Sequence, residues 1–286
     1  MQGTRADIIR QICAQIEHIY TEPNERRNIA LLVASTAEGV SHNRYLIEPN
    51  ESINIPTLET IVAELAEGRP VQYVMGTTEF CGLEFAVNEG VLIPRPETEE
   101  LVSWAIERAE EFDNAEVLDL CTGSGCIAIS IARRVNTASI TAIDLSTEAL
   151  EIARQNNKTL NANVNFIEAD VLGDLTVLGE REFDIIISNP PYIPYAEEQL
   201  MRVNVTQYEP KMALFVEDDK PLLFYEAIAT HALHRLRRGG YLLFEVHENY
   251  ATATAKMLQE QGFDDVIVRH DFRAKPRMIC CRLNRK

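Results

Sequence analysis

The sequence predicts an α/β protein: a seven-stranded, mostly parallel sheet with an antiparallel hairpin at one edge, preceded by a small helical domain. Three observations lead there. From residue 115 onward, short β-branched runs alternate with amphipathic segments, the rhythm of a parallel sheet covered on both faces. The last two strand-like runs lie too close together for a helical crossover, so they should pair antiparallel. Residues 1–70 hold their apolar positions mainly at helical spacing.

Taken in order, residues 4–20, 24–36 and 57–68 read as helices. Ile8, Ile9, Ile12, Ile16 and Ile19 mark the first, and Ile61, Val62 and Leu65 the third. "TEPNERRN" and "IEPNESINIP" break them apart. Pro56 and Thr57 open the third, with Thr57 as the cap candidate. The helical unit is expected to end near Gly68-Arg69-Pro70. Residues 71–94 change to short β-type runs, with Asn88-Glu89-Gly90 read as a hairpin turn in a connector. The main domain then runs from 95 to 286. It opens on a helix in which Pro96 is pre-set for the first turn and glutamates sit near the positive end. Strands follow at "EVLDLC", "SITAID", "VNFIEA", "FDIIIS", "GYLLFEV", "DDVIVRH" and "RMICCRL". Helices fall at "CIAISIARRV", "STEALEIARQNNK", about 220–237 and 249–261, with no room for a full helix between the third and fourth strands.

Composition removes several classes. The 286 residues carry a formal charge of -17, which repels a phosphate backbone. The basic stretches "HRLRR" and "RHDFRAKPRMICCRLNRK" lack interleaved aromatics, so no direct nucleic-acid partner is expected. No run of eighteen apolar residues predicts a membrane span, and the first twenty residues mix charge into their apolar positions; a cytoplasmic location is expected. The six cysteines, Cys13, Cys81, Cys121, Cys126, Cys280 and Cys281, show no C-x-x-C spacing, and no metal site is expected. His231 and His234 read as a solvated or capping pair.

Ligands in open α/β sheets sit beyond the carboxyl ends of the strands. Four such ends carry unusual residues. "VLDLCTGSGCIA" places Asp119 on a strand and turns into a helix through Gly123-Ser124-Gly125, where glycines admit positive φ and close backbone approach. Gly123, Gly125 and Ala128 fit G-x-G-x-x-A, a weak signal alone. Asp144 ends the next strand nineteen residues after Gly125, with Leu145 beside it, placed to hold ribose hydroxyls. Ser146 is the better cap for the helix that follows. Asp170 and Val171 end the third strand, where an adenine ring could be bracketed. These three ends indicate a nucleoside ligand but leave NAD and S-adenosylmethionine both open.

The fourth end, "ISNPPYIP", separates them. A dehydrogenase has no evident use for Asn189-Pro190-Pro191-Tyr192. An enzyme that methylates a planar NH2 does. The nitrogen lone pair of that group is delocalised, so it is a poor nucleophile. The Asn189 side-chain oxygen and the Pro190 carbonyl can each accept one N–H and orient the nitrogen toward a methyl donor. The prolines fix the direction of those acceptors, and Tyr192 offers a face for stacking. The motif alone leaves adenine N6 and glutamine N5 both open.

"DLCTGSG", "AIDLS", "EADVL" and "ISNPPYIP" together resemble the class I S-adenosylmethionine-dependent methyltransferases that modify planar amino groups. Residues 68–102, "YEP" at 208–210 and "GGYLLFEV" are similar to the release factor glutamine methyltransferases. The resemblance spans about residues 68–283. It implies a Rossmann-like class I methyltransferase domain that converts S-adenosyl-L-methionine to S-adenosyl-L-homocysteine. The implied acceptor is N5 of the glutamine in the Gly-Gly-Gln motif of class I peptide chain release factors. The family's cofactor loop falls on Cys121, Thr122, Gly123, Ser124 and Gly125, its ribose-binding acid on Asp144, and its substrate motif on Asn189 to Tyr192; Asn189 touches both ligands in that scheme. Arg95, Pro96, Glu97 and Thr98 match a segment near the active site. Cys121 stands where many members have glycine, and Val171 where some carry an aromatic residue. The acidity of the chain and these flanking segments favour glutamine over the alternative, N6-adenine methylation of nucleic acid. The helical domain is then expected to dock a protein substrate.

Overall fold

The computed structural model describes residues 1–284. The chain divides into two compact units, Met1–Gly76 with Arg202–Tyr208, and Thr77–Met201 with the chain from Glu209 onward.

The first unit holds α1 (Arg5–Ile16), α2 (Pro23–Glu38), α3 (His42–Ile47), α4 (Leu58–Ala66) and α5 (Val71–Met75). Helix α1 starts where Thr4 and Asp7 close a reciprocal capping box. Of its predicted apolar positions, Ile8, Ile12 and Ile16 are fully buried in a core with Val33, Ala34, Leu58, Val62 and Leu65, while Ile9 and Ile19 pack against that core partly buried. Arg5 is buried with it and joins Glu38, Glu48 and Glu51, which hold its guanidinium charged. The short helices α3 and α5 carry too few turns to leave a periodic signal. Gln2–Thr4 pairs with Ser52–Asn54 as a small ribbon, also unforeseen.

In the second unit the connector is a hairpin, Thr77–Phe80 paired with Leu83–Ala86. Its turn is Cys81-Gly82, not Asn88-Glu89-Gly90. Both turn residues have positive φ, 51° and 72°, as a two-residue turn that follows strand twist demands. Asn88 instead closes a side-chain turn onto the Gly90 N–H at 2.8 Å.

The sheet comprises β1 (Glu116–Leu120), β2 (Ser139–Asp144), β3 (Val164–Glu168), β4 (Phe183–Ser188), β5 (Leu236–Glu245), β6 (Asp264–His270) and β7 (Pro276–Arg282). Their order is β6-β7-β5-β4-β1-β2-β3. Strands β1 to β5 run parallel, and β7 pairs antiparallel with both β5 and β6. The predicted seven strands and edge hairpin are all present. Helix α6 (Pro96–Ala109) and α7 (Cys126–Arg134) cover one face through Leu101, Trp104, Ile127 and Ile131; α8 (Thr147–Thr159) connects β2 to β3. Helix α9 (Val203–Tyr208) belongs to the first unit. The short helix α10 (Lys211–Leu214) precedes α11 (Leu223–Arg235) and α12 (Ala251–Gln261), and the last two cover the other face through Tyr225, Ile228, Ala229 and Leu258. Adjacent residues Val117 and Leu118, or Ile185 and Ile186, enter opposite cores, because strand side chains alternate. Strand order reverses between β1 and β4, which opens a crevice at their carboxyl ends. There the Ser188 hydroxyl donates to the Leu120 carbonyl at 2.6 Å and ties the two ends together.

Candidate active site

The glycine loop begins at that crevice. Cys121, Gly123 and Gly125 all have positive φ, 62°, 54° and 79°. Cys121 therefore occupies a conformation that suits glycine, which is why glycine is at home there. The loop is braced from behind by buried Asn156 of α8. Its Nδ2 donates to the Ser124 and Ala86 carbonyls, each at 3.0 Å, and its Oδ1 accepts from the Ala86 N–H at 2.7 Å. Asp119, fully buried beneath the loop, accepts the Thr122 hydroxyl at 2.6 Å. Burial lifts its carboxyl to about 7, against the pull of that hydrogen bond.

Asp144 ends β2 facing the loop. Its Oδ2 accepts the Gly123 N–H at 2.8 Å and its Oδ1 the Ser146 N–H at 2.9 Å. Burial raises its carboxyl, and these backbone donors oppose the rise. Each oxygen keeps a second lone pair for a ligand. Ser146 caps α8, as expected, by accepting the Ala149 N–H.

A cavity of about 300 Å³ lies over these groups. Cys121, Gly123, Asp144, Leu145, Asp170, Val171, Asn189 and Pro191 all line it. Eight of the residues singled out in the sequence thus share one wall. Thr122, Ser124, Gly125, Pro190 and Tyr192 stand outside the lining. Gly125 packs on Ile129, Ala153 and Phe166, while Gly123 has open space where a Cβ would stand. Asp170 turns its Oδ1 onto the Leu172 N–H at 2.8 Å, and buried Val171 has its carbonyl held by His231 of α11 at 3.0 Å. His231 therefore braces the cavity wall.

Tyr192 does not present its hydroxyl to the cavity. The hydroxyl donates to Glu245 Oε1 at 3.0 Å, and the ring meets His247 edge-on. Burial and the Glu245 charge push the phenol well above its ordinary value. Glu245 Oε2 accepts the Thr98 hydroxyl at 2.6 Å, and Asn189 Nδ2 donates to Thr98 Oγ1 at 3.3 Å. The remaining wall joins two segments that are distant in sequence. Buried Glu209 accepts from the Ile93 N–H at 3.2 Å and from Arg95 at 2.6 Å. This brings Gly90, Val91 and Leu92 together with Pro210, Met212 and Phe215 around the cavity. Pro96 takes the first position of α6, and Glu97 pairs with Arg273 at 3.6 Å.

Glu245, Met212, Phe215 and Phe224 were not singled out in the sequence. Glu245 had one signal, a lone acid in the apolar run "GYLLFEV". The apolar lining residues had none, because they look like any core residue until the chain folds. Among the described residues, no group of three or more His, Cys, Asp or Glu is arranged to hold a metal ion.

A relative from Flavobacterium psychrophilum, a release factor glutamine methyltransferase, is 42% identical over 80% of this chain and 81% of its own length. The chain belongs to the release factor glutamine methyltransferase family. Family members from Bacteroides thetaiotaomicron and Chlorobaculum tepidum are 44% and 37% identical, covering 78% and 90% of this chain and 79% and 90% of their own. The Methyltransferase small domain family matches residues 101–207, so the protein is a methyltransferase. Solved structures agree on the class I methyltransferase fold. The hMettl16 catalytic domain, in complex with an RNA hairpin, superposes with a TM-score of 0.58 over 77% of this chain and 82% of its own, at 17% identity. A methyltransferase from Pyrococcus furiosus gives 0.50 over 70% and 89%, at 18% identity. The glycine loop of this family member thus lies in the crevice that the fold reserves for ligands.

Proposed function

We propose that this enzyme transfers a methyl group from S-adenosyl-L-methionine to N5 of the glutamine in the Gly-Gly-Gln motif of class I release factors. The observation that carries the reading is the position of Asn189. It lines the same cavity as Gly123 and Asp144, so an acceptor for a planar NH2 and a nucleoside site share one chamber.

The residues fit the cofactor. Gly123 leaves open space for close approach at the cavity wall, and Asp144 retains acceptor capacity after binding two backbone N–H groups. Asp144 would hold the ribose hydroxyls, the Cys121–Gly125 loop would follow the amino-acid portion, and Leu145, Asp170 and Val171 would bracket the adenine. Bound S-adenosyl-L-methionine supplies an electrophilic methyl group on a sulfonium.

Asn189 Oδ1 and the Pro190 carbonyl accept the two N–H groups of the substrate amide. That pairing fixes the nitrogen and favours a geometry in which its lone pair is available. Pro190 and Pro191 hold the acceptors still, because φ is locked at both. No strong base is required beforehand, since the nitrogen becomes acidic as it is alkylated. The enzyme would act in the cytoplasm, where release factors work, and the helical domain would dock the protein substrate.

The test is methyl transfer from labelled S-adenosyl-L-methionine to a purified release factor, to its Gln→Ala loop variant, and to duplex DNA. Label should appear on the first alone; label on DNA, or equal label on the loop variant, overturns the proposal. Asn189→Ala should lower turnover by about a hundredfold or more while cofactor affinity stays within about threefold.

A further inference from the structure

Asn189 can serve as an acceptor only if its amide is turned the right way. The two ends of the group are nearly alike in shape, so something must choose between them. The choice is made two residues' contact away, in a buried pocket where β5, α6 and the Asn189–Tyr192 segment meet.

Glu245, the last residue of β5, is 1% exposed. Its two oxygens have one donor each: Thr98 Oγ1 on Oε2 at 2.6 Å, and the Tyr192 hydroxyl on Oε1 at 3.0 Å. Thr98, in the first turn of α6, is 2% exposed and owns a single hydroxyl proton. With that proton given to the carboxylate, Thr98 Oγ1 can only accept. The group that meets it is Asn189 Nδ2, at 3.3 Å. The amide nitrogen is thereby held toward α6, and Oδ1 is left as the free acceptor. The opposite arrangement would take the Thr98 proton from Glu245 and leave a buried carboxylate oxygen without its donor, the expensive case for a buried polar group. Burial raises the Glu245 carboxyl above its ordinary value, and the Thr98 and Tyr192 hydrogen bonds and the Arg277 charge oppose that rise by favouring the carboxylate. Arg277 is itself held by Asp271 at 3.4 Å and the Val246 carbonyl at 3.3 Å.

We propose that Glu245 and Thr98 are positioning residues that set the Asn189 amide with Oδ1 toward the substrate, Glu245 holding Tyr192 directly and Asn189 through Thr98. The proposal rests on Asn189 being the acceptor for the substrate's N–H. Neither positioning residue lines the cavity, so neither needs to touch the substrate.

The first arm of the test uses the ligand-free protein. In a nitrogen-15 spectrum the Asn189 side-chain NH2, assigned by its loss in Asn189→Ala, should show one proton protected from exchange with water. Thr98→Val should speed that exchange about tenfold, and Thr98→Ser should preserve the protection. The second arm is turnover on a release factor. Thr98→Val should lower kcat about tenfold or more with cofactor affinity within about twofold, and Thr98→Ser should stay within about threefold of the wild type. Glu245→Gln, which offers Thr98 a donor, should also lower kcat, and the double variant should be no worse than Thr98→Val alone. Full protection in Thr98→Val, wild-type kcat in that variant, or losses that simply add in the double variant would each overturn the assignment. If the wild type transfers nothing to a release factor, the reading of the substrate fails. The exchange arm still decides the amide's orientation.

Discussion

Gly123 and Gly125 stand two residues apart in one loop, both with positive φ, yet the structure gives them different work. An alanine at 125 would place its Cβ 3.0 Å from Ile129 Cδ1, 3.2 Å from Ala153 Cβ and 3.4 Å from Phe166 Cε1. The left-handed conformation costs a residue with a Cβ about 1–2 kcal/mol. Crowding of a packed core adds about 1–3 kcal/mol. The loss of glycine's freedom in the unfolded chain offsets about 0.5 kcal/mol. Gly125→Ala should therefore destabilise the second unit by about 2–4 kcal/mol. At Gly123 the conformational term acts alone, since nothing lies within 4 Å of the added Cβ. Gly123→Ala should cost about 1 kcal/mol of stability. Its added carbon instead occupies space at the cavity wall, so S-adenosyl-L-methionine affinity should fall about tenfold or more. Trp104, the single tryptophan, is fully buried on α6 and reports the second unit alone during urea unfolding. Titration calorimetry supplies the affinity. Equal losses of stability in the two variants, or unchanged affinity in Gly123→Ala, would refute the division of labour between these glycines.

Asp119 predicts a pH dependence. Its carboxyl is raised from 3.8 to about 7, chiefly by burial and further by the Asp144 charge, so between those values the folded chain holds a proton that the unfolded chain releases. Its contribution to stability is complete below pH 4 and is lost as pH rises toward 7, on the order of 4 kcal/mol in all. Asp119→Asn should flatten that decline in ligand-free protein, leaving the slope of the same sign that raised Asp144 and Glu245 contribute; an unaltered slope would contradict the assignment. Burial pushes the thiols of Cys121 and Cys126 well above their ordinary value. Both should react slowly with a thiol reagent at neutral pH, although Cys121 lines the cavity; rapid labelling of Cys121, read by peptide mass, would contradict the raised thiol.

Much of this protein is settled by its residues in order. The seven strands are legible because β-branched runs such as "DIIIS" suit a sheet buried on both faces, and the edge hairpin follows from the short link between the last two strands. The loop glycines, Asp144 and the Asn-Pro-Pro-Tyr segment are legible because each departs from what its position would otherwise require: glycine entering a helix, an acid ending a strand, two prolines closing a buried one. The hairpin turn was misplaced because Asn-Glu-Gly reads as a turn more readily than Cys-Gly, yet the strand pairing between Phe80 and Leu83 selects the latter. What no local pattern carries is which groups meet. Glu209 reaches Arg95, Asn156 reaches the glycine loop, and Glu245 reaches Thr98 and Tyr192 across long stretches of chain. Each of these is a buried polar group whose partner is chosen by the packing of separate elements, because an unpaired one is too costly to keep. The chemistry available at the strand ends was written in the sequence; the direction in which Asn189 points was left to the fold.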